Sequence, residues 1–296
     1  MIKNLVFEGG GVKGIAFIGA LNKLKLENKL NNVNKIAGTS AGSSIAALYA
    51  CGYNSKELKD IVWNTDFNQF KDDSFGIFRD MYRFYNYYGF HKGDLLKDYH
   101  ENLISEKFKQ KNVTFQDLYN KTGNELTITG SCVNTGQLDY FNILTNPNMI
   151  VSDAVRISMS IPYYFMPFKF NNKLYIDGGI LNNYPVNYYD FEDEYGKKTI
   201  INEETLGIQL LTNDEYNNTK DMSIDSITEF STNTVNLLLN EISKLNKHND
   251  YINRHTVKIN TFDISATDFD LTDTQKDLLY QSGIDAVDDY LQNKII

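Results

Sequence analysis

The sequence predicts an α/β fold on a parallel sheet, because two units of strand, glycine turn and helix follow one another near its start. In the first, Leu5-Val6-Phe7 reads as a short buried strand. Gly9-Gly10-Gly11 closes it, and Ile15, Ile18, Leu21 and Leu24 then recur at near-helical spacing up to Leu26. In the second, a strand is expected at Val33 to Ala37 and a turn at Gly38 to Gly42. A helix of small residues, Ser43 to Ala50, follows and ends at Gly52.

Later segments continue the alternation. Ser55 reads as the N-cap of a helix through Trp63. From Phe67 to Phe90 the periodicity loosens, and Phe75, Phe78, Tyr82, Phe84, Tyr85, Tyr87, Tyr88 and Phe90 crowd a stretch that is neither a clean strand nor a clean helix. Helices are expected from Asp94 to about Ile104, from Thr114-x-x-Asp117 to Gly123, and over Ser152 to Ser160 before Pro162. Leu126 to Thr129 and Tyr140 to Ile143 read as strands around a turn at Asn134-Thr135-Gly136. Leu174-Tyr175-Ile176, Leu206 to Leu211 and Thr256 to Ile259 are further strands, with an amphipathic helix about Ile224 to Leu245 and a last helix opened by the capping box Thr272-x-x-Gln275. No repeat, low-complexity linker or composition break divides residues 1–296, so one domain is expected.

A net charge of -9 argues against bulk attraction to nucleic acid or an anionic bilayer, so membrane contact has to be local. Apolar runs such as Ile45-Ala46-Ala47-Leu48 fall far below the roughly 18 residues of a spanning helix. The start lacks the apolar core of a secretory signal, and Cys51 and Cys132 offer no disulfide framework. A reducing, cytoplasmic setting is the expectation, with peripheral membrane association or signal-independent secretion left open.

A serine hydroxyl needs a proton acceptor and a stabiliser for the oxyanion that its attack creates. In Gly38-Thr39-Ser40-Ala41-Gly42 the serine sits where a strand turns into a helix, with flanking Gly38 and Gly42 permitting a tight turn. Gly9-Gly10-Gly11-Val12-Lys13-Gly14 presents unobstructed backbone amides fit for an oxyanion or a phosphate. It also satisfies the dinucleotide-binding pattern, but that reading needs an acidic residue at the end of the second strand, and none lies between Lys35 and Cys51. For the base the chain offers His91, His100, His248 and His255; of these His248 and His255 suit the order of a serine hydrolase triad, and neither stands in a glycine-rich turn. Asp177, after a strand and before Gly178-Gly179, lies where a serine can approach closely on the rim of a parallel sheet. Desolvation there would raise its pKa toward that of a useful base.

With these three signals in this order the chain resembles the patatin-like phospholipases. Thr114 to Tyr119, Asp153 to Ser160 leading into Ile161-Pro162, Asp177 to Val186, Asp268-Phe269-Asp270-Leu271 and the last helix also look like family segments. The resemblance covers most of the chain and is weakest from about Asp190 to Asn253. It implies a three-layer α/β/α domain with a central, largely parallel sheet, and a lipid acyl hydrolase with no metal or cofactor in its chemistry. Ser40 would be the nucleophile and Asp177 its base, with an oxyanion and substrate-binding loop over Gly9, Gly10, Gly11, Lys13 and Gly14. Lys13 stands where the family often has arginine, offering a lipid phosphate a point charge in place of a bidentate fork. The implied partner is a phospholipid or other acyl lipid met at a membrane surface, with a protein or small-molecule activator as a further expectation. The aromatic stretch at about 65–93 is the candidate cap for lipid contact. An acyltransferase using the same two residues is the nearest alternative, and a nucleotide-binding or scaffold protein the alternative from another class.

Overall fold

The computed structural model describes residues 1–70, 77–192, 199–200, 202–211 and 253–293, with single positions at 230, 234 and 237. The two opening units form as expected: β1 (Asn4–Phe7) leads through a 3-10 turn to α1 (Ile15–Leu26), and β2 (Lys35–Gly38) leads through Ser40 to α2 (Ala41–Ala50). Next comes α3 (Ser55–Trp63), capped one residue earlier than expected. Asn54 accepts the Lys56 and Glu57 amides while Glu57 reaches back to the Asn54 amide, a reciprocal arrangement that leaves Ser55 inside the helix.

Within the aromatic stretch, α4 (Ile77–Tyr87) is a regular helix followed by the short β3 (Gly89–His91). Its apolar residues face both ways: Phe84 stacks on Phe90 with ring centroids 4.7 Å apart, while Met81, Tyr82 and Tyr85 lie exposed. The helix does carry a 3.6-residue apolar pattern, which is diluted when Phe67 to Phe90 is read as one aromatic stretch. Phe75 falls outside the described residues, as does most of the expected helix at Ile224 to Leu245.

Then follow α5 (Asp94–Phe108), α6 (Phe115–Thr122), the hairpin β4 (Glu125–Cys132) and β5 (Gln137–Phe141), and α7 (Val151–Ser158). As anticipated, Thr114 and Asp117 form the capping box of α6, and Gly123 ends it in a left-handed conformation. Short strands β6 (Tyr163–Phe165), β7 (Phe168–Phe170) and β8 (Lys173–Asp177) lead to α8 (Gly179–Asn182). After them come β9 (Phe191–Glu192), β10 (Thr199–Ile200), β11 (Thr205–Leu211), β12 (Thr256–Asn260) and α9 (Asp273–Asn293).

The main sheet runs β12-β11-β1-β2-β4-β8-β7, with β5 also on β4. The five strands from β12 to β4 are mutually parallel, and β5, β8 and β7 are antiparallel additions. Leu5, Phe7, Ile36, Leu126, Ile128, Leu206 and Ile208 turn to one face, where α1, α2, α3, α7 and α9 bury them in the principal core. On the opposite face Val6 and Ala37 pack under Tyr184 and Val186, which follow α8. The result is a mixed, mostly parallel sheet flanked by helices, as the sequence predicted.

The expected setting of Asp177 needs one correction. Its strand is antiparallel, not one of the parallel set. β4 outruns β2, whose pairing with it stops at Ile128, and β8 pairs along the overhang from Cys132 back to Gly130. Asp177 at the C-terminal end of β8 thereby arrives at the same rim as the C-terminal ends of β1 and β2.

Candidate active site

Ser40 occupies the turn from β2 into α2 with φ 51° and ψ -126°, a conformation that costs a non-glycine residue of order 1–3 kcal/mol and persists only where its surroundings enforce it. Those surroundings are specific. The Ser40 carbonyl receives the Ser43 amide at 2.8 Å and the Ser43 hydroxyl at 2.6 Å, and the Ser40 amide donates to Ser158 Oγ at 2.9 Å. The two motif glycines are required by contact: a Cβ on Gly38 would lie 2.3 Å from the Gly42 carbonyl oxygen, and one on Gly42 would lie 2.4 Å from that of Glu8. The turn is therefore pressed against the end of β1, next to the glycine loop.

Asp177 is almost wholly buried, and its side chain accepts a hydrogen bond from Ser40. Its Oδ1 also accepts the Gly179 amide at 2.7 Å, and its own amide donates to the Ser160 carbonyl at 2.8 Å. Burial pushes the carboxyl up to about 7, against the smaller opposing pull of the Gly179 and Ser40 hydrogen bonds. Gly178 lets the strand end lie against β4, since a Cβ there would come within 2.1 Å of Thr129 Oγ1. Thr129 in turn bonds Thr39 at 2.7 Å, tying the two halves of the site.

The glycine loop closes the third side. The Gly9 amide donates to the Asn183 carbonyl at 3.0 Å, and Asn183 Nδ2 donates to the Gly9 carbonyl at 3.2 Å. The Val12 amide is bound to the Ala266 carbonyl at 3.0 Å. Among the described residues the amides of Gly10 and Gly11 have no acceptor, so two donors are left at the loop. Gly14 packs beside Ala41, the first residue of the nucleophile helix. Lys13 is half-buried: burial lowers its pKa, opposed by the nearby carboxylate of Glu8, itself buried and accepting the Leu210 amide at 2.7 Å.

Of the histidines, His100 bonds Ser44 and His255 pairs with Glu203 at 3.0 Å, while His248 lies outside the described residues. Beside Ser40 opens a pocket lined by Ile45 and Leu48 of α2, Phe70, Leu96, Phe165 and Phe269 among others. Sequence reading missed Ser158, Asn183 and Ala266 as supports. The first two lie inside segments that carry the family resemblance; Ala266 acts through its backbone and has no side-chain signal.

A nucleophile elbow, a buried carboxylate and unpaired loop amides on one rim of a mostly parallel sheet define the class of site found in serine ester hydrolases. Comparison with known proteins narrows the class. Residues 5–189 match the model of the patatin-like phospholipase family, and the chain belongs to that family of lipid-ester hydrolases. A protein of Acanthamoeba polyphaga mimivirus is 34% identical over 72% of this chain and 67% of its own length. A probable lipid hydrolase of Invertebrate iridescent virus 6 is 31% identical over 62% of each chain. Among solved structures, VipD from Legionella pneumophila superposes with a TM-score of 0.66 at 16% identity, over 99% of this chain and 67% of VipD. ExoU of Pseudomonas aeruginosa, in its heterodimeric complex with SpcU, gives 0.60 at 20% identity over 99% of this chain and 51% of the other. The chain thus spans about half to two thirds of the length of each of these four proteins.

Proposed function

We propose that the chain is a lipid acyl hydrolase of the phospholipase A type, cleaving carboxylic ester bonds of phospholipids or other acyl lipids. The observation that carries this reading is the buried Ser40–Asp177 pair beside the unpaired amides of Gly10 and Gly11, at an apolar pocket. Asp177 accepts the Ser40 proton as Oγ attacks the ester carbonyl. The loop amides, fixed before the reaction begins, hold the oxyanion. The leaving alcohol or lysolipid takes the proton, and water activated by Asp177 then releases the acyl chain. An acceptor alcohol in place of water would give acyl transfer, which product analysis with and without added acceptor separates.

Fluorophosphonate labelling tests the assignment. The native chain should label and Ser40→Ala should not; Asp177→Asn should lose ester hydrolysis by about 10³-fold or more while keeping its fold. Labelling that persists in Ser40→Ala would sink the nucleophile, and full hydrolysis in Asp177→Asn would sink the base.

Lipid contact is assigned to the aromatic segment. Met81, Tyr82, Tyr85, Tyr87 and Tyr88 are each at least half exposed. Mixed tyrosine and aliphatic surface suits the boundary between lipid and water. Among the described residues no helix is long and apolar enough to cross a membrane, so a surface contact of this kind is the mode proposed. Replacing Tyr82 and Tyr85 by Ser should weaken sedimentation with phosphatidylcholine vesicles severalfold in a protein whose circular dichroism is unchanged; equal sedimentation would remove the idea.

A further inference from the structure

Helix α2 carries a second serine into the pocket. Ser44 follows Ser40 by one turn, and its Oγ lies 2.7 Å from Nε2 of the buried His100 on α5. A mid-helix serine commonly bonds the carbonyl four residues back. Here that carbonyl, of Ser40, already receives the Ser43 amide and hydroxyl and the Ser44 amide, so the Ser44 hydroxyl turns to the imidazole instead.

The direction of that bond follows from the rest of the ring. His100 Nδ1 lies 2.8 Å from the Leu96 carbonyl, which can only accept, so Nδ1 carries a proton. Burial holds the ring neutral, its pKa pushed down to about 4. Nε2 is then an acceptor and Ser44 donates to it. With its single proton committed, Ser44 offers the pocket only lone pairs, and among the described residues no donor meets them. Apart from Ser40 itself, the remaining hydroxyl among the pocket residues, that of Tyr99, is engaged with Thr65 at 3.0 Å. Ile45, Leu48, Leu96 and Phe165 make the surrounding surface apolar.

The structure assigns to Ser44, oriented by His100, the selection of acyl chains that bear a hydroxyl a few carbons from the ester carbonyl, an inference that rests on the hydrolase reading above. Ser44 lies about 6 Å along the helix axis from Ser40, so a chain esterified at Ser40 and entering the pocket passes it within its first few carbons. A plain alkyl chain would cover the Ser44 oxygen with methylene and leave an acceptor unsatisfied. A hydroxyl at the third carbon would donate to it, and the existing Ser44–His100 bond would strengthen that second one. Pockets with a committed polar group discriminate by hydrogen bonding where wholly apolar ones discriminate only by size.

The test compares kcat/KM for p-nitrophenyl esters of 3-hydroxydecanoate and decanoate on the native protein and on Ser44→Ala. The ratio of the two substrates on one preparation is independent of how much of it is folded. The native protein should favour the hydroxyacyl ester by about tenfold, the order expected for one such hydrogen bond, and Ser44→Ala should bring the ratio near one. A native ratio near one, or a preference that survives in Ser44→Ala, overturns the inference. Absence of hydrolysis of either ester by the native protein overturns the hydrolase reading, and this inference with it.

Discussion

Ser40, just ahead of α2, and Ser44, one turn on and within it, each meet a buried titratable partner. Burial acts on the two partners in opposite directions, since it disfavours whichever form is charged: the Asp177 carboxyl rises to about 7 and the His100 imidazole falls to about 4. Both shifts make a hydroxyl partner, yet only Ser40 has the setting of a nucleophile. Its φ of 51° lifts it out of the helix, and the unpaired amides of Gly10 and Gly11 lie beside it. Ser44 is inside the helix, where its neighbours' amides serve the helix ladder. Backbone geometry, rather than the partner's identity, separates the serine proposed as nucleophile from the one proposed to bind.

The comparison breaks most sharply at Asp177. In the native protein, ester hydrolysis should fall in proportion to proton concentration below about pH 7 and level off above it, because the carboxylate form is the base. Asp177→Asn should remove that limb along with about 10³-fold or more of the rate. If Ser44 and His100 could substitute, a residual activity with a limb near pH 4 would remain. Stability should move the other way. The folded pKa is raised above the ordinary 3.8, so the contribution of the neutral carboxyl is complete below that value and lost as pH rises through about 7. Thermal melting should therefore favour Asp177→Asn above pH 7, with the gap closing toward pH 4.

A second prediction asks whether the loop is as rigid as the contrast requires. Gly11 has φ 57°, and a Cβ there would sit 1.9 Å from the Ala266 carbonyl oxygen, so Gly11→Ala should cost about 3 kcal/mol in denaturant melts. Gly10 meets only the tip of Leu210, at 2.4 Å, a side chain that can move; Gly10→Ala should cost about 1 kcal/mol. Equal losses would mean that the loop yields as a unit.

A smaller effect on rate than at Asp177 is expected at Ser158. Ser158→Ala leaves the Ser40 amide buried without its acceptor, which is worth about 1–3 kcal/mol. With the elbow loosened, kcat/KM should fall by roughly tenfold. An unchanged rate would show that the Ser43 bonds alone hold the turn.

What the sequence made legible is what local chemistry encodes. Glycine spacing around Ser40 and after Asp177 reports close backbone approach, and the capping boxes at Thr114 and Thr272 were readable because both partners lie within one turn. The Asn54 cap was obscured by an equally suitable Ser55 beside it. Strand direction has no such signature: Leu174-Tyr175-Ile176 reads the same whether β8 runs with or against β4. The Ser44–His100 bond joins residues 56 apart. These are tertiary facts, and no window along the chain contains them.

The clamp between Val12 and Ala266 has a consequence for the order in which the molecule is made. The glycine loop is synthesised well before the segment after β12 that seals it, and β1 itself finds one neighbour in β2 and the other only in β11. The loop must stay unsealed while some 250 residues are added, as the separation of Val12 from Ala266 requires. The proposed site is thus unfinished until the segment after β12 has folded back, so a ribosome-bound chain that stops short of Ala266 carries the Ser40 turn beside an unsealed loop.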